Sequence, residues 1–391
     1  MAPNGRSSQL SLSDIHDVVK DPAAAASGRP GQRLCLGLGA VRRLRRRHGP
    51  PLSPRAGREM AVLGAWLSLF DGLQRRAWRT RLDRAVLADP VFIIGHWRSG
   101  TTLLHELLCT DPGFAFPTTH ACMNPQHFLW SSAGALGRTG VQLRRPMDGM
   151  AITPASPQED EFALLCLGCR SPYEALLYPQ CLPDLVDLAD PARLDAAEQA
   201  AWRQRFLDFL KGVSLLAGGR PLVLKSPGHS LRVAALRRIL PGARFIHIVR
   251  DPAAVYSSSI RLWQVMTDAY AVGPPIGAAA LRDAVRRSMI GLDDAVMRDT
   301  ADLGPERCQR IRYEQLAADP VGTIEHLYQT LGLGPVEPVE ARIRAALAAR
   351  GEHRVAPVGL EPDALAELRR DCARLFERHG YASPGSGAGG P

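Results

Sequence analysis

Apolar residues in this chain follow two patterns, short continuous runs and longer stretches with helical spacing. Residues 91–94, 222–224 and 245–249 are short runs rich in Val, Ile, Leu and Phe. Runs of this kind, bounded by Gly or polar residues, predict buried strands. A fourth candidate strand covers 309–313. A helical pattern follows each of the first three runs, the first of them at 101–108. Between Met60 and Leu82, the residues Leu63, Trp66, Leu67, Phe70 and Leu73 recur on one side of a helix that reads as a packing element. Amphipathic patterns at about 193–217, 278–299 and 361–379 read the same way.

Short buried strands alternating with helices predict an α/β fold. It should have a parallel sheet of about four to five strands, flanked by helices and joined by right-handed crossovers. Ligands of such sheets bind beyond the carboxyl ends of the strands. That rule brings 95–102, 225–227 and 250–258 to one edge although they are far apart in sequence.

With 46% hydrophobic and 22% charged residues among 391, the chain can build one large core. A single domain is expected over 56–382. Residues 1–55, rich in Pro, Gly, Ala and Arg, read as a basic, poorly ordered leader, and 383–391 as a flexible tail. No apolar run is long enough to span a membrane and no signal peptide is evident, so a cytoplasmic location is expected. The eight cysteines show no disulfide framework, which fits a reducing compartment. Cys166 and Cys169 form a lone CxxC with no second pair to complete four ligands, so no metal site is expected.

A net charge of +9 favours anionic ligands or surfaces. The cluster Arg42, Arg43, Arg45, Arg46 and Arg47 lies in the leader and reads as a solvated tail, compatible with weak membrane-surface contact. No nucleic-acid partner is expected. Lysine occurs only at Lys20, Lys211 and Lys225, which makes Lys225, at a strand end, conspicuous.

The segment Gly95-His96-Trp97-Arg98-Ser99-Gly100-Thr101-Thr102 has the two glycines of a nucleotide-phosphate loop and stands between strand and helix. Inward backbone N–H groups and a helix N-terminus hold an oxyanion there without a metal. Thr101 replaces the lysine that would reach the β and γ phosphates of ATP, which argues against a kinase or NTPase, the rival enzyme class. Arg98 instead offers a planar, permanently charged fork to a phosphate or sulfate. A non-catalytic binding protein docking through the basic leader is a third reading.

At this point the chain resembles the sulfotransferases that use PAPS (3'-phosphoadenosine-5'-phosphosulfate), over about residues 85–335. Their 5'-phosphosulfate loop is matched by 96–102. The segments 103–108, Arg145-Pro146-Met147-Asp148 and Ser156-Pro157-Gln158-Glu159-Asp160-Glu161-Phe162 look like a bacterial-type branch. The resemblance implies a P-loop NTPase-like sulfotransferase fold. It implies donor contacts from Arg98, Ser99, Gly100, Thr101 and Thr102, and 3'-phosphate contacts from Arg250 and from Ser258, eight residues on. Tyr313, with Glu314, resembles a late segment near the nucleotide. Leu103 stands where the small-molecule branch has an adenine-stacking tryptophan, and that branch's late Arg-Lys-Gly segment is absent.

Sulfuryl transfer has a loose, in-line transition state, so positioning and fixed positive charge should dominate, supplied by Arg98 and Lys225. An acceptor hydroxyl or amine also needs a general base, for which Glu159, Glu161 and His120 are the candidates. Ser156-Pro157-Gln158-Glu159 also reads as a capping box, which would occupy Glu159 structurally.

Overall fold

The computed structural model describes residues 34–132, 143–144, 149, 151–350 and 360–381. Four strands form a fully parallel sheet: β1 (Val91–Ile94), β2 (Val223–Lys225), β3 (Arg244–Val249) and β4 (Cys308–Arg312), in the order β2-β1-β3-β4. Register sets Ile93 beside Lys225 and Ile94 beside His247. Val91 and Ile93 enter one core with Val223, Ile246 and Ile248, whereas Phe92 and Ile94 enter a second with Leu224 and Phe245. This alternation with both faces buried explains why the strands are continuous apolar runs rather than alternating ones. The strand order reverses direction between β1 and β3, so a crevice opens beyond their carboxyl ends.

Helices cover both faces. In chain order the ones used below are α1 (Leu38–His48), α2 (Pro54–Arg84), α3 (Thr101–Leu108), α4 (Thr119–Met123), α5 (Glu161–Cys166), α6 (Ala196–Leu216), α7 (Pro252–Tyr270) and α8 (Ala278–Asp299). Their starts follow local chemistry. Asp195 and Glu198 form a capping box on α6, and Asp251 caps α7 through the N–H of Ala253, with Pro252 at the first helical position. The amphipathic stretch at 361–379 is two helices, Pro362–Asp371 and Ala373–Arg378, interrupted at Cys372.

Three expectations change. First, the part of the leader from Leu34 onward is folded. Beneath the arginines, Ala40, Val41 and Leu44 are spaced to bury one side of α1, and Arg43 donates to the carbonyl of Cys169 at 3.0 Å. Residues 1–33 and the tail 382–391 lie outside the described residues, as do Arg145-Pro146-Met147-Asp148. Second, of the apolar stripe of α2 only Leu67 packs inward. Gly64, Leu67, Gln74 and Leu82 face the body, while Leu63, Trp66, Phe70 and Leu73 are exposed. Gln74 anchors the buried side by donating to the carbonyl of Pro125 and accepting from the N–H of Leu129, both at 2.9 Å. Third, Ser156 starts no helix. Its hydroxyl accepts from the N–H of Thr153, and α5 begins only at Glu161, so there is no capping box around Glu159.

Candidate active site

The loop after β1 is shaped by two glycines. Gly95 (φ 143°) passes so close to the carbonyl of Ile248 that a Cβ would collide with it, and a Cβ on Gly100 (φ 101°) would strike the ring of Tyr313. Arg98, between them, also adopts the left-handed region (φ 69°). Gly95 donates its N–H to Ser230 Oγ at 2.9 Å, and Ser99 Oγ donates to the carbonyl of His96 at 2.8 Å. His96 Nδ1 donates to the carbonyl of Trp97 at 2.8 Å and its Nε2 meets Ser288 Oγ at 2.9 Å. Burial pushes the His96 pKa down to about 4, so the ring is neutral at pH 7. No side chain caps α3, which leaves the first-turn N–H groups after Gly100 without a side-chain acceptor. The backbone donors of this cradle fit a phosphosulfate.

Two corners flank this loop. At the β3 corner, Arg98 Nε donates to Ser258 Oγ at 2.8 Å, and Arg250 Nη1 donates to the carbonyl of Arg98 at 3.3 Å. The Arg250 guanidinium lies 4.3 Å over the centre of the Tyr313 ring. Glu314 accepts the N–H of Asp251 at 3.2 Å and the hydroxyl of Tyr381 at 2.7 Å, so it braces the turn. Arg98 was expected at the sulfated end. Its Nε lies on the hydroxyl of Ser258, a residue expected at the 3'-phosphate.

At the β2 corner, Lys225 Nζ is ion-paired with Glu159 Oε1 and lies 3.4 Å from Thr102 Oγ1, a hydroxyl in the first turn of α3. The second Glu159 oxygen accepts the hydroxyl of Tyr173, whose oxygen accepts Trp97 Nε1–H at 3.2 Å. Lys225 is 4% exposed and Glu159 12%, so the pair is nearly buried and Glu159 is the more open of the two. Burial, with the Glu159 charge next, pushes the Tyr173 pKa well up and keeps it a donor.

The neighbouring acids do structural work. Glu161 is fully buried and holds Arg232 with both oxygens, the Nη2 contact being 3.1 Å. Asp160 meets His229 Nε2 at 2.7 Å, both fully buried. The expectation that Glu161 is a second candidate base fails, because this carboxylate is fully buried and both its oxygens are held by Arg232. His120 sits on α4, alongside the acidic stretch: its N–H bonds the carbonyl of Pro154 at 2.9 Å and its Nε2 meets Ser131 Oγ at 2.8 Å. Partial burial, then the nearby His127, lowers its pKa. Sequence reasoning missed Tyr173 and Ser230, which no motif marks.

Residues 90–338 match the sulfotransferase family, and the chain belongs to it. It is an enzyme, a PAPS-dependent sulfotransferase, and PAPS is its implied donor. It is 34% identical over 338 residues to "Omega-hydroxy-beta-dihydromenaquinone-9 sulfotransferase Stf3" from Mycobacterium bovis, across 82% of this chain and 84% of that one. The protein of the same name from Mycobacterium tuberculosis matches equally. The crystal structure of sulfotransferase STF9 from Mycobacterium avium superposes with a TM-score of 0.66 at 17% identity, over 96% of this chain and 98% of that chain. Sulfotransferase STF1 from Mycobacterium tuberculosis gives 0.58 at 18% identity, over 94% and 99%. Both share the fold. Among the described residues there is no cluster of His, Cys, Asp or Glu suited to a metal ion, and no helix long and apolar enough to cross a membrane.

Proposed function

We propose that this enzyme sulfates the hydroxyl of a lipid alcohol, with Glu159 as general base and Lys225 as the cation at the leaving oxygen. The observation that carries this is the Lys225–Glu159–Tyr173 cluster at the mouth of the phosphate loop. PAPS supplies the sulfuryl group. Arg250, Ser258 and Arg98 hold its 3'-phosphate, and the N–H groups of Ser99, Gly100, Thr101 and Thr102 hold the 5' end. Tyr313 supports Arg250 from below rather than touching the nucleotide.

Glu159 has lone pairs left after bonding Lys225 and Tyr173, since a carboxylate accepts about four hydrogen bonds. One of these takes the proton of the acceptor hydroxyl as its oxygen forms the new bond to sulfur. The bond from sulfur to the bridging oxygen breaks, its electron pair stays on adenosine 3',5'-bisphosphate, and the Lys225 ammonium neutralises that charge. Fixed positive charge close to developing negative charge is the largest usual contribution to such a step. His120, bonded to Ser131 beside the acidic stretch, orients the acceptor rather than taking its proton.

The lipid reading is supported by the 34% identity with the mycobacterial enzyme named for an ω-hydroxylated menaquinone. A cytoplasmic setting fits the eight free thiols. The test is transfer from labelled PAPS to an ω-hydroxylated prenyl quinone in detergent, against water-soluble alcohols and amines. Turnover confined to the soluble acceptors refutes the lipid reading, and turnover by Glu159→Gln equal to wild type refutes the base.

A further inference from the structure

The apolar stripe of α2 faces away from the protein. Val62 (63% exposed), Trp66 (60%) and Leu69 (52%) lie with Leu63, Phe70 and Leu73 on one side of the helix. From Val62 to Leu73 the stripe is about 16 Å long at helical rise, and at about 100° per residue it occupies roughly a third of the circumference. The same spacing puts Arg55 and Arg58 on that side before the stripe, together with Glu59, which is ion-paired with Arg55, and Arg76, Arg81 and Arg84 after it. All five arginines are exposed. Across α2 as a whole, arginines outnumber acidic residues by seven to three.

Apolar in the middle and arginine at both ends is the pattern of a helix lying in an anionic membrane interface. A second copy of the chain is a poorer occupant. Antiparallel pairing about a two-fold axis sets the arginines at one end of α2 against those at the other end of its mate.

A run of ring contacts leads from the stripe towards the acidic stretch. The Phe70 ring is 6.0 Å from that of His127, which is 6.3 Å from that of His120. His120 lies on α4, whose N-cap residue Thr118 is bridged to Pro157, two residues before Glu159.

We propose that α2 docks the enzyme on an anionic bilayer, so that a lipid alcohol reaches Glu159 from the membrane past Phe70, His127 and His120. This rests on the lipid-acceptor reading above. The test is flotation of the full chain with vesicles of one-third phosphatidylglycerol in phosphatidylcholine, and with pure phosphatidylcholine. The wild type should float with the anionic vesicles and bind the neutral ones roughly tenfold less. Trp66→Glu with Leu69→Glu should weaken anionic binding by at least about tenfold, with affinity for adenosine 3',5'-bisphosphate and melting temperature unchanged. Arg76→Glu with Arg84→Glu should remove the preference for phosphatidylglycerol.

Docking is overturned if the wild type stays unbound, or if the Trp66/Leu69 variant floats equally. A wild-type dimer that this variant dissolves assigns the face to a second copy, and a lowered melting temperature assigns it to packing within the chain. Flotation without sulfation of the lipid alcohol refutes the acceptor reading alone. Sulfation in detergent without flotation refutes docking alone.

Discussion

The two corners of the phosphate loop hold positive charge on different partners. At the β2 corner the Lys225 cation is met by a carboxylate, Glu159, in a nearly buried setting. At the β3 corner Arg250 rests on the Tyr313 ring and a backbone carbonyl, and Arg98 on the Ser258 hydroxyl. A carboxylate paired directly with a cation offsets its attraction for a phosphate, whereas the ring beneath Arg250 does not. In the proposed reading the β3 corner binds the 3'-phosphate, while the β2 corner moves a proton and absorbs charge as it forms.

The largest expected effect tests that division at the β2 corner. Glu159→Gln should lower kcat by roughly 100-fold to 10,000-fold, the usual range for a positioned base, while affinity for adenosine 3',5'-bisphosphate measured by calorimetry stays unchanged. Lys225→Ala should lower kcat as well. A loss of nucleotide affinity in Glu159→Gln would erase the contrast between the corners.

Glu161→Gln sharpens it from the other side. Breaking a buried ion pair leaves Arg232 uncompensated and costs about 3 kcal/mol, so urea unfolding should register the loss. Turnover per folded molecule should barely change, which separates this carboxylate from its neighbour two residues earlier.

At the β3 corner, Arg250→Ala should cost about 2 kcal/mol, or roughly 30-fold, in affinity for adenosine 3',5'-bisphosphate, as loss of a charge-assisted contact does. Affinity for adenosine 5'-phosphate, which lacks the second phosphate, should hardly move. If both nucleotides weaken equally, Arg250 does not read the 3' end.

Acid should weaken the loop that both corners share. The folded-state pKa of His96 is about 4, below the ordinary value of 6.5, so its neutral form is favoured by folding. The stability this gives is complete above pH 6.5 and declines as pH falls towards 4, with about 2 kcal/mol gone at pH 5. Urea melts at pH 7 and pH 5 should show the difference, and His96→Gln should reduce it. The smallest effect is expected from Tyr173→Phe, which removes a donor to Glu159 and should lower kcat several-fold, about 1 kcal/mol.

Much of this was written in local pattern. Four parallel strands, the glycine-shaped loop, the helix Ala278–Asp299 and the positions of Lys225 and Arg250 at strand ends follow from period, turn chemistry and the rule about carboxyl ends. These depend on each residue's near neighbours along the chain, and a sequence records those directly. Charge and apolarity could not by themselves say which face of α2 turns inward. The core chose Gly64, Leu67 and the polar Gln74, because Gln74 finds two backbone partners there, and the bulkier stripe was left outside. Nor could spacing divide Glu159 from Glu161, or bring Tyr173 and Ser230 to the loop. Those choices depend on Lys225 for Glu159, Arg232 for Glu161, Trp97 for Tyr173 and Gly95 for Ser230, each pair 66 or more residues apart in the chain, and only packing brings such partners within the few ångströms over which hydrogen bonds and buried charges act.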